Sequence, residues 1–168
     1  MNRLLLVYTG DGKGKTTAAL GSALRACGHG ARVLFVQFLK GFIESGEQRI
    51  AKENFEVFVV EWKGFVTEVT EEVRRRFAAG LEAARKKVAE KRPDFVVLDE
   101  LCVALMMGLC GRSDAEKLIN EARKSGCVVV TGRGCPQWLL DAADTVTEVK
   151  EEAHPFRRGQ KARPGIEF

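Results

Sequence analysis

Thr9-Gly10-Asp11-Gly12-Lys13-Gly14-Lys15-Thr16-Thr17 decides the fold of this 168-residue chain, because of what stands on either side of it. Ahead of it, Leu4 to Tyr8 is an apolar run of strand length; behind it, Leu20, Ala23, Leu24 and Cys27 recur at helical spacing and mark an expected buried face. A glycine-rich turn between strand and helix is a cradle for phosphate. Glycines let backbone N–H groups turn inward without Cβ clashes, and the helix N-terminus adds positive potential. Lys15 supplies a mobile cation and Thr16 a hydroxyl for a divalent metal. The whole stretch from Thr9 to Thr17 is therefore expected to bind a nucleotide. In the pattern G-x-x-x-x-G-K-[S/T] a glycine belongs at position 9; this chain has Thr9 there, and its glycine comes one residue later, at Gly10. The phosphates are expected in a register different from that of ordinary nucleotide hydrolases.

Working outward, further apolar runs occur at Val33 to Phe38, Phe55 to Val60, Phe95 to Leu98, Val128 to Thr131 and, more weakly, Thr145 to Val149. Helical patterns fall between most of them. Val73, Phe77, Leu81, Ala84 and Val88 share one face, with Thr70 as N-cap and Pro93 beyond the end. Ser113 and Glu116 have capping-box spacing ahead of Leu118, Ile119 and Ala122, and Gly126 closes that helix. Pro136 suits the first position of another helix. Apolar strands alternating with helices predict an α/β protein with a parallel sheet covered on both faces, its ligand at the carboxyl ends of the strands. The length suits one domain spanning residues 1–168. Residues 150–168 are polar and aperiodic, and are expected to form an irregular segment that frays or wraps over the site.

Composition narrows the classes without choosing a function. A net charge of +4 suits an anionic ligand and equally an ordinary surface. Arg74, Arg75 and Arg76 point in three directions on a helix beside Glu71 and Glu72, which reads as a solvated face and not as a nucleic-acid patch. The five cysteines form no C-x-x-C pair and sit among apolar residues or glycines, so free thiols are expected in place of zinc or disulfides. No run reaches the roughly 20 apolar residues of a membrane span, and the cytoplasm is the expected compartment.

A second chemical element is Asp99-Glu100, which follows Phe95 to Leu98 at an expected strand end. With Thr16 it would give Mg²⁺ or Mn²⁺ hard oxygen ligands; spacing does not choose between the two carboxylates. The alternative is that Asp99 caps a helix beginning at Leu101. These features serve a kinase, an ATPase or a transferase equally well, or a nucleotide-responsive binding module.

Several downstream segments separate those options. They are Val36-Gln37-Phe38-Leu39-Lys40-Gly41, Leu98-Asp99-Glu100-Leu101, Thr131-Gly132-Arg133-Gly134, Ala143-Asp144-Thr145-Val146-Thr147-Glu148, and the ending His154-x-Phe156-x-x-Gly159-x-x-Ala162-x-x-Gly165-Ile166-Glu167-Phe168. Together with the late-glycine loop, and in this order over nearly the whole chain, they resemble the P-loop ATP:cob(I)alamin adenosyltransferases.

The resemblance implies a RecA-like sheet, a homodimer, a flavoprotein or flavodoxin-type reductant, and transfer of the 5′-deoxyadenosyl group of ATP to Co(I) of a corrinoid such as cobalamin, with release of triphosphate. It further implies catalytic roles for Lys15, Arg133 and Glu100, a metal held by Thr16 and Glu100, and Arg133 on the triphosphate; Arg133 as a solvated turn residue is the alternative. Nucleotide phosphates lying in reversed order along the loop would agree with the shifted glycine.

The family pattern also implies aromatic residues that displace the corrinoid's axial ligand, in the form Gly-Phe-x-Trp-[Asp/Glu]. This chain reads Gly64-Phe65-Val66-Thr67-Glu68, so Phe65 matches and Thr67 replaces the tryptophan; Trp62 is the nearby aromatic residue. Ala153 precedes His154 where lysine is common in the family, and His154 is either a substrate-lining or a packing residue.

Overall fold

The computed structural model describes residues 3–40, 45–49, 55–61, 68–154 and 159–166. Six strands, β1 (Leu5–Thr9), β2 (Val33–Lys40), β3 (Glu56–Glu61), β4 (Phe95–Asp99), β5 (Cys127–Thr131) and β6 (Thr145–Glu148), form one sheet in the order β3-β2-β4-β5-β1-β6. Every neighbouring pair is parallel. Among the described residues, besides a helical turn at 46–49, the helices in chain order are α1 (Lys15–Gly28), α2 (Glu71–Lys91), α3 (Leu101–Met106), α4 (Arg112–Arg123) and α5 (Gln137–Ala142).

The sheet's two faces follow from the two-residue period of a strand. Leu34 and Val36 of β2, Val96 and Leu98 of β4 and Val128 and Val130 of β5 face one core, with Phe77, Leu81, Ala84 and Val88 of α2 and Ala115, Leu118, Ile119 and Ala122 of α4. Val33, Phe35, Val97 and Val129 face the other, which α1 covers with Ala19, Ala23 and Ala26. The expected α1 stripe holds in part: Ala23 is buried, Leu20 and Cys27 are partly buried against this core, and Leu24 is exposed. Ala19 and Ala26 complete the buried face beside Ala23, small residues that let a helix lie close on a sheet.

The other helix ends agree with the sequence in part. Thr70 caps α2 by accepting the Val73 amide at 3.3 Å, and a left-handed Arg92 ends the helix ahead of Pro93. The capping box at Ser113 does not form. Gly111 is the N-cap of α4, Ser113 lies inside the helix, and Glu116 pairs with Arg112 at 2.8 Å. Pro136 precedes α5 as its N-cap, one position earlier than expected. Strand β6 is exposed along its length, as suits the sheet's edge, and all five cysteines are free thiols.

Chain direction decides where a ligand fits. From β1 the chain crosses toward β2 on one side, and from β5 it crosses to β6 on the other, so the loops after β1 and β5 diverge and leave a crevice at the carboxyl ends. Two hydrogen bonds tie its lips: Thr9 Oγ1 donates to the Gly132 carbonyl at 2.9 Å, and the Gly132 amide donates to the Tyr8 carbonyl at 3.2 Å.

Candidate active site

A cavity of about 540 Å³ opens in that crevice. Gly12, Lys13, Gly14, Lys15, Thr16 and Thr17 form its floor, with Glu100, Arg133, Lys40 and Glu47 around them. Leu20, His154 and Ile166 add further wall. The C-terminal residues His154, Gly165 and Ile166 thus reach the cavity, from a segment that runs without helix or strand where it is described.

The loop's shape is fixed from outside by the chain after β6. The Gly12 amide donates to the Val149 carbonyl at 2.8 Å, and the Val149 amide to the Thr9 carbonyl at 2.8 Å. A Cβ on Gly10 would lie 2.4 Å from the Val149 carbonyl oxygen, and one on Gly12 would lie 2.5 Å from that of Lys150, so only glycine fits against this strap. The Gly12 N–H is thereby committed to protein, which leaves the amides from Lys13 onward, at the start of α1, to meet an anion. Thr9, Gly10 and Asp11 do not line the cavity: Thr9 and Gly10 support the loop from β1, and Asp11 is exposed.

Lys15 is buried, and its Nζ donates to the Gly12 carbonyl at 2.6 Å. Burial, reinforced by the charge of Arg133, lowers its pKa, while Glu100, Asp11 and Asp99 act the other way. An anion entering the cavity would relieve that cost, since it supplies the countercharge the lysine lacks.

The acidic end of β4 is organised through Thr131. Its hydroxyl accepts the Glu100 amide at 3.0 Å and donates to Asp99 Oδ1 at 2.6 Å; Thr16 Oγ1 donates to the same oxygen at 2.9 Å. Asp99 is fully buried, and its Oδ2 is a buried oxygen without a hydrogen-bond partner. Burial raises the pKa of Asp99 and that of Glu100, the latter also through its acidic neighbour.

A buried carboxylate with one oxygen unsatisfied is costly unless a cation or ordered water completes it, so this donor set fits a hard divalent ion. Asp99 is not the cap of α3. Glu100 holds the N-cap position in the left-handed conformation, φ 65°, and lines the cavity, whereas Asp99 does not.

Phe65, Trp62 and Thr67, read as the axial-ligand segment, lie outside the described residues. Sequence reasoning missed the site roles of Thr131, Lys40 and Glu47. Thr131 could have been found as the polar residue closing an apolar strand next to the Asp99 strand; no comparable signal marks Glu47.

The parallel sheet, the glycine-rich loop between β1 and α1, and the acidic end of β4 define a P-loop nucleotide-binding α/β protein. The family model for ATP:corrinoid adenosyltransferase BtuR/CobO/CobP matches residues 1–168, and the chain belongs to that family. It is 38% identical over 168 residues to the Corrinoid adenosyltransferase of Escherichia coli K12, covering 98% of this chain and 85% of that protein. The Corrinoid adenosyltransferase CobA of Salmonella typhimurium is 37% identical over 98% of this chain and 85% of its own length. For the Corrinoid adenosyltransferase of Pseudomonas aeruginosa the figures are 40%, 98% and 83%. The protein is thus an enzyme of ATP-dependent corrinoid adenosylation. Among the described residues no helix is long and apolar enough to cross a membrane.

Proposed function

We propose that the cavity holds ATP with its triphosphate along the Lys13–Thr17 amides and its C5′ turned toward the Co(I) of a corrinoid. The carrying observation is the gathering of Lys13, Lys15 and Arg133 on one cavity around a phosphate loop whose cradle starts late, at Lys13. Co(I) is itself a strong nucleophile, so the protein's work is to hold C5′ in line and to stabilise a departing polyanion. The cobalt–carbon bond forms as the C5′–O bond breaks, and its electron pair stays on the phosphate oxygen. Triphosphate is released.

Within this reading Lys15, Arg133 and the loop amides meet the triphosphate, and Thr16 with the Asp99–Glu100 pair would hold Mg²⁺ or Mn²⁺. Such an ion, when bound, neutralises phosphate oxygens. Glu100 faces the cavity as the direct carboxylate, and Asp99 fixes the Thr16 hydroxyl from beneath. Phe65 remains the residue proposed to displace the axial ligand, on the family pattern alone. A flavodoxin-type protein suits the one-electron supply that Co(I) requires. A homodimer and a cytoplasmic location complete the reading, the latter in keeping with five free thiols.

Anaerobic incubation with ATP, Mg²⁺ and chemically reduced cobalamin tests this directly. The visible spectrum should convert to that of the adenosylated corrinoid, with one triphosphate formed per turnover. ADP and phosphate in its place would identify cleavage of the β–γ bond and overturn the reading.

A further inference from the structure

Lys40 reaches the cavity by a departure from strand geometry. It ends β2 and lines the same space as Lys15, Thr16, Glu100 and Arg133. The pairing of β2 with β3 shifts register between Gln37 and Lys40, and Leu39 between them has φ 57°. A leucine in the left-handed region persists only where its surroundings hold it there.

Part of that restraint is Gln37, fully buried where the pairing of β2 with β4 ends. Its Nε2 donates to Glu47 Oε1 at 3.0 Å, and its Oε1 accepts Gln48 Nε2 at 2.7 Å. Gln48 Oε1 in turn accepts the Ser45 amide at 3.2 Å. This amide lattice pins the helical turn at residues 46–49 against the strand end and makes Gly46 and Glu47 part of the cavity wall. Buried polar networks of this kind fix one geometry, because any alternative leaves a buried amide unpaired.

Lys40 and Glu100 line the same cavity, and the field of Lys40 acts on both Asp99 and Glu100, opposing the upward push of burial. Yet among the described residues Lys40 forms no ion pair with either acid. Its position also differs from that of the loop cations. Strand β2 is separated from β1 by β4 and β5, so Lys40 enters the cavity from the β2 side, across the end of β4, whereas the phosphate loop enters from β1.

We propose that Lys40 is a further leaving-group contact. It meets the phosphate attached to C5′, the α-phosphate, where negative charge grows as the C5′–O bond breaks, and the Leu39 turn with the Gln37–Glu47–Gln48 lattice aims it there. This rests on the adenosyl-transfer reading, with the far end of the triphosphate in the loop. The loop then anchors the nucleotide in the ground state, and Lys40 answers charge that appears only in the transition state.

Lys40→Met and Lys40→Arg decide the matter, with thermal midpoints recorded to establish folding. Lys40→Met should lower kcat by on the order of 10²-fold while the KM for ATP moves by only a few fold. Calorimetric affinity for Mg²⁺-triphosphate should weaken by about tenfold, and Lys40→Arg should restore most of both losses. Wild-type kcat and triphosphate affinity in Lys40→Met would overturn the proposal. Tighter Mg²⁺ binding in that variant with unchanged triphosphate affinity would also overturn it, because Lys40 would then be only a counter-ion to the carboxylates. Failure of the underlying reading shows separately, in the wild-type protein, as ADP in place of triphosphate.

Discussion

At the amino-terminal rim of the sheet, β2 and β4 begin on an exposed ion pair: Arg32 Nε donates to Asp94 Oδ2 at 3.0 Å, and the Asp94 amide donates to the Arg32 carbonyl at 2.9 Å. Toward the carboxyl-terminal rim the pairing of the same two strands ends on Gln37 and Asp99, both fully buried. Every buried polar or charged residue among those described, Lys15, Gln37, Ser45, Asp99 and Thr131, stands in the carboxyl half of a strand or beyond its carboxyl end. Two of the three non-glycine residues with positive φ, Leu39 and Glu100, stand there too. One rim satisfies its charges with local partners at an exposed surface; the other holds charge and strain away from water, at a cost that a bound ligand would offset.

The comparison breaks most visibly at Lys15. Lys15→Ala removes a buried cation that lacks an anionic partner at hydrogen-bonding distance, so the fold should keep its thermal midpoint or gain slightly. Adenosylation should fall on the order of 10³-fold or more. Wild-type turnover in this variant would remove the loop from the chemistry. Asp99→Asn sharpens the same contrast. Burial raises the folded pKa of Asp99 above the unfolded value, so its contribution to stability is full below the unfolded pKa and is lost as pH rises toward the folded one. The neutral variant escapes that loss and should be as stable as wild type or about 1 kcal/mol more so in metal-free buffer at neutral pH. Its Mg²⁺-dependent stabilisation and its turnover should both collapse, and denaturant titration with and without Mg²⁺ checks the pair.

The opposite outcome belongs to the other rim. A Cβ on Gly126 would lie 2.1 Å from the Asp94 carbonyl oxygen, which already accepts the Cys127 amide at 3.1 Å. Gly126→Ala must push two strand entrances apart and should cost about 2 kcal/mol of stability. The ligand-saturated kcat should stay near wild type, as a combined melt and assay would show.

These rims differ also in how far the sequence exposed them. Strand interiors were legible because buried parallel strands are continuous apolar runs, and the phosphate loop was legible because its glycines and Lys15 serve a backbone geometry that few other residues permit. The acidic pair was found for the same reason, as charge at the end of an apolar strand. What stayed hidden depends on pairings distant in sequence. Gln37 looks like one polar residue in a strand until Glu47 and Gln48 are folded back onto it, and the positive φ of Leu39 has no signature in a leucine. Ser113 was misread because capping-box spacing is local, whereas the start of α4 was set two residues earlier, at Gly111. Of the alanine face of α1 only Ala23 was anticipated, because size, and not only apolarity, governs how closely a helix packs.

The smallest expected effect tests whether the amino-terminal rim is as ordinary as it looks. Asp94 accepts hydrogen bonds from the Arg32 side chain and amide, and these hold its carboxyl below the usual range. A depressed folded pKa contributes stability that is present above the unfolded value and lost as pH falls through the folded one. Asp94→Asn should therefore lower the thermal midpoint slightly at pH 7, by much less than Gly126→Ala, because the pair is solvent-exposed and screened. The difference between variant and wild type should shrink as pH is taken down through the acid range and should also narrow in high salt. A large, salt-insensitive loss would mean that this rim too stores energy in its charges, and the division of labour between the two ends of the sheet would have to be abandoned.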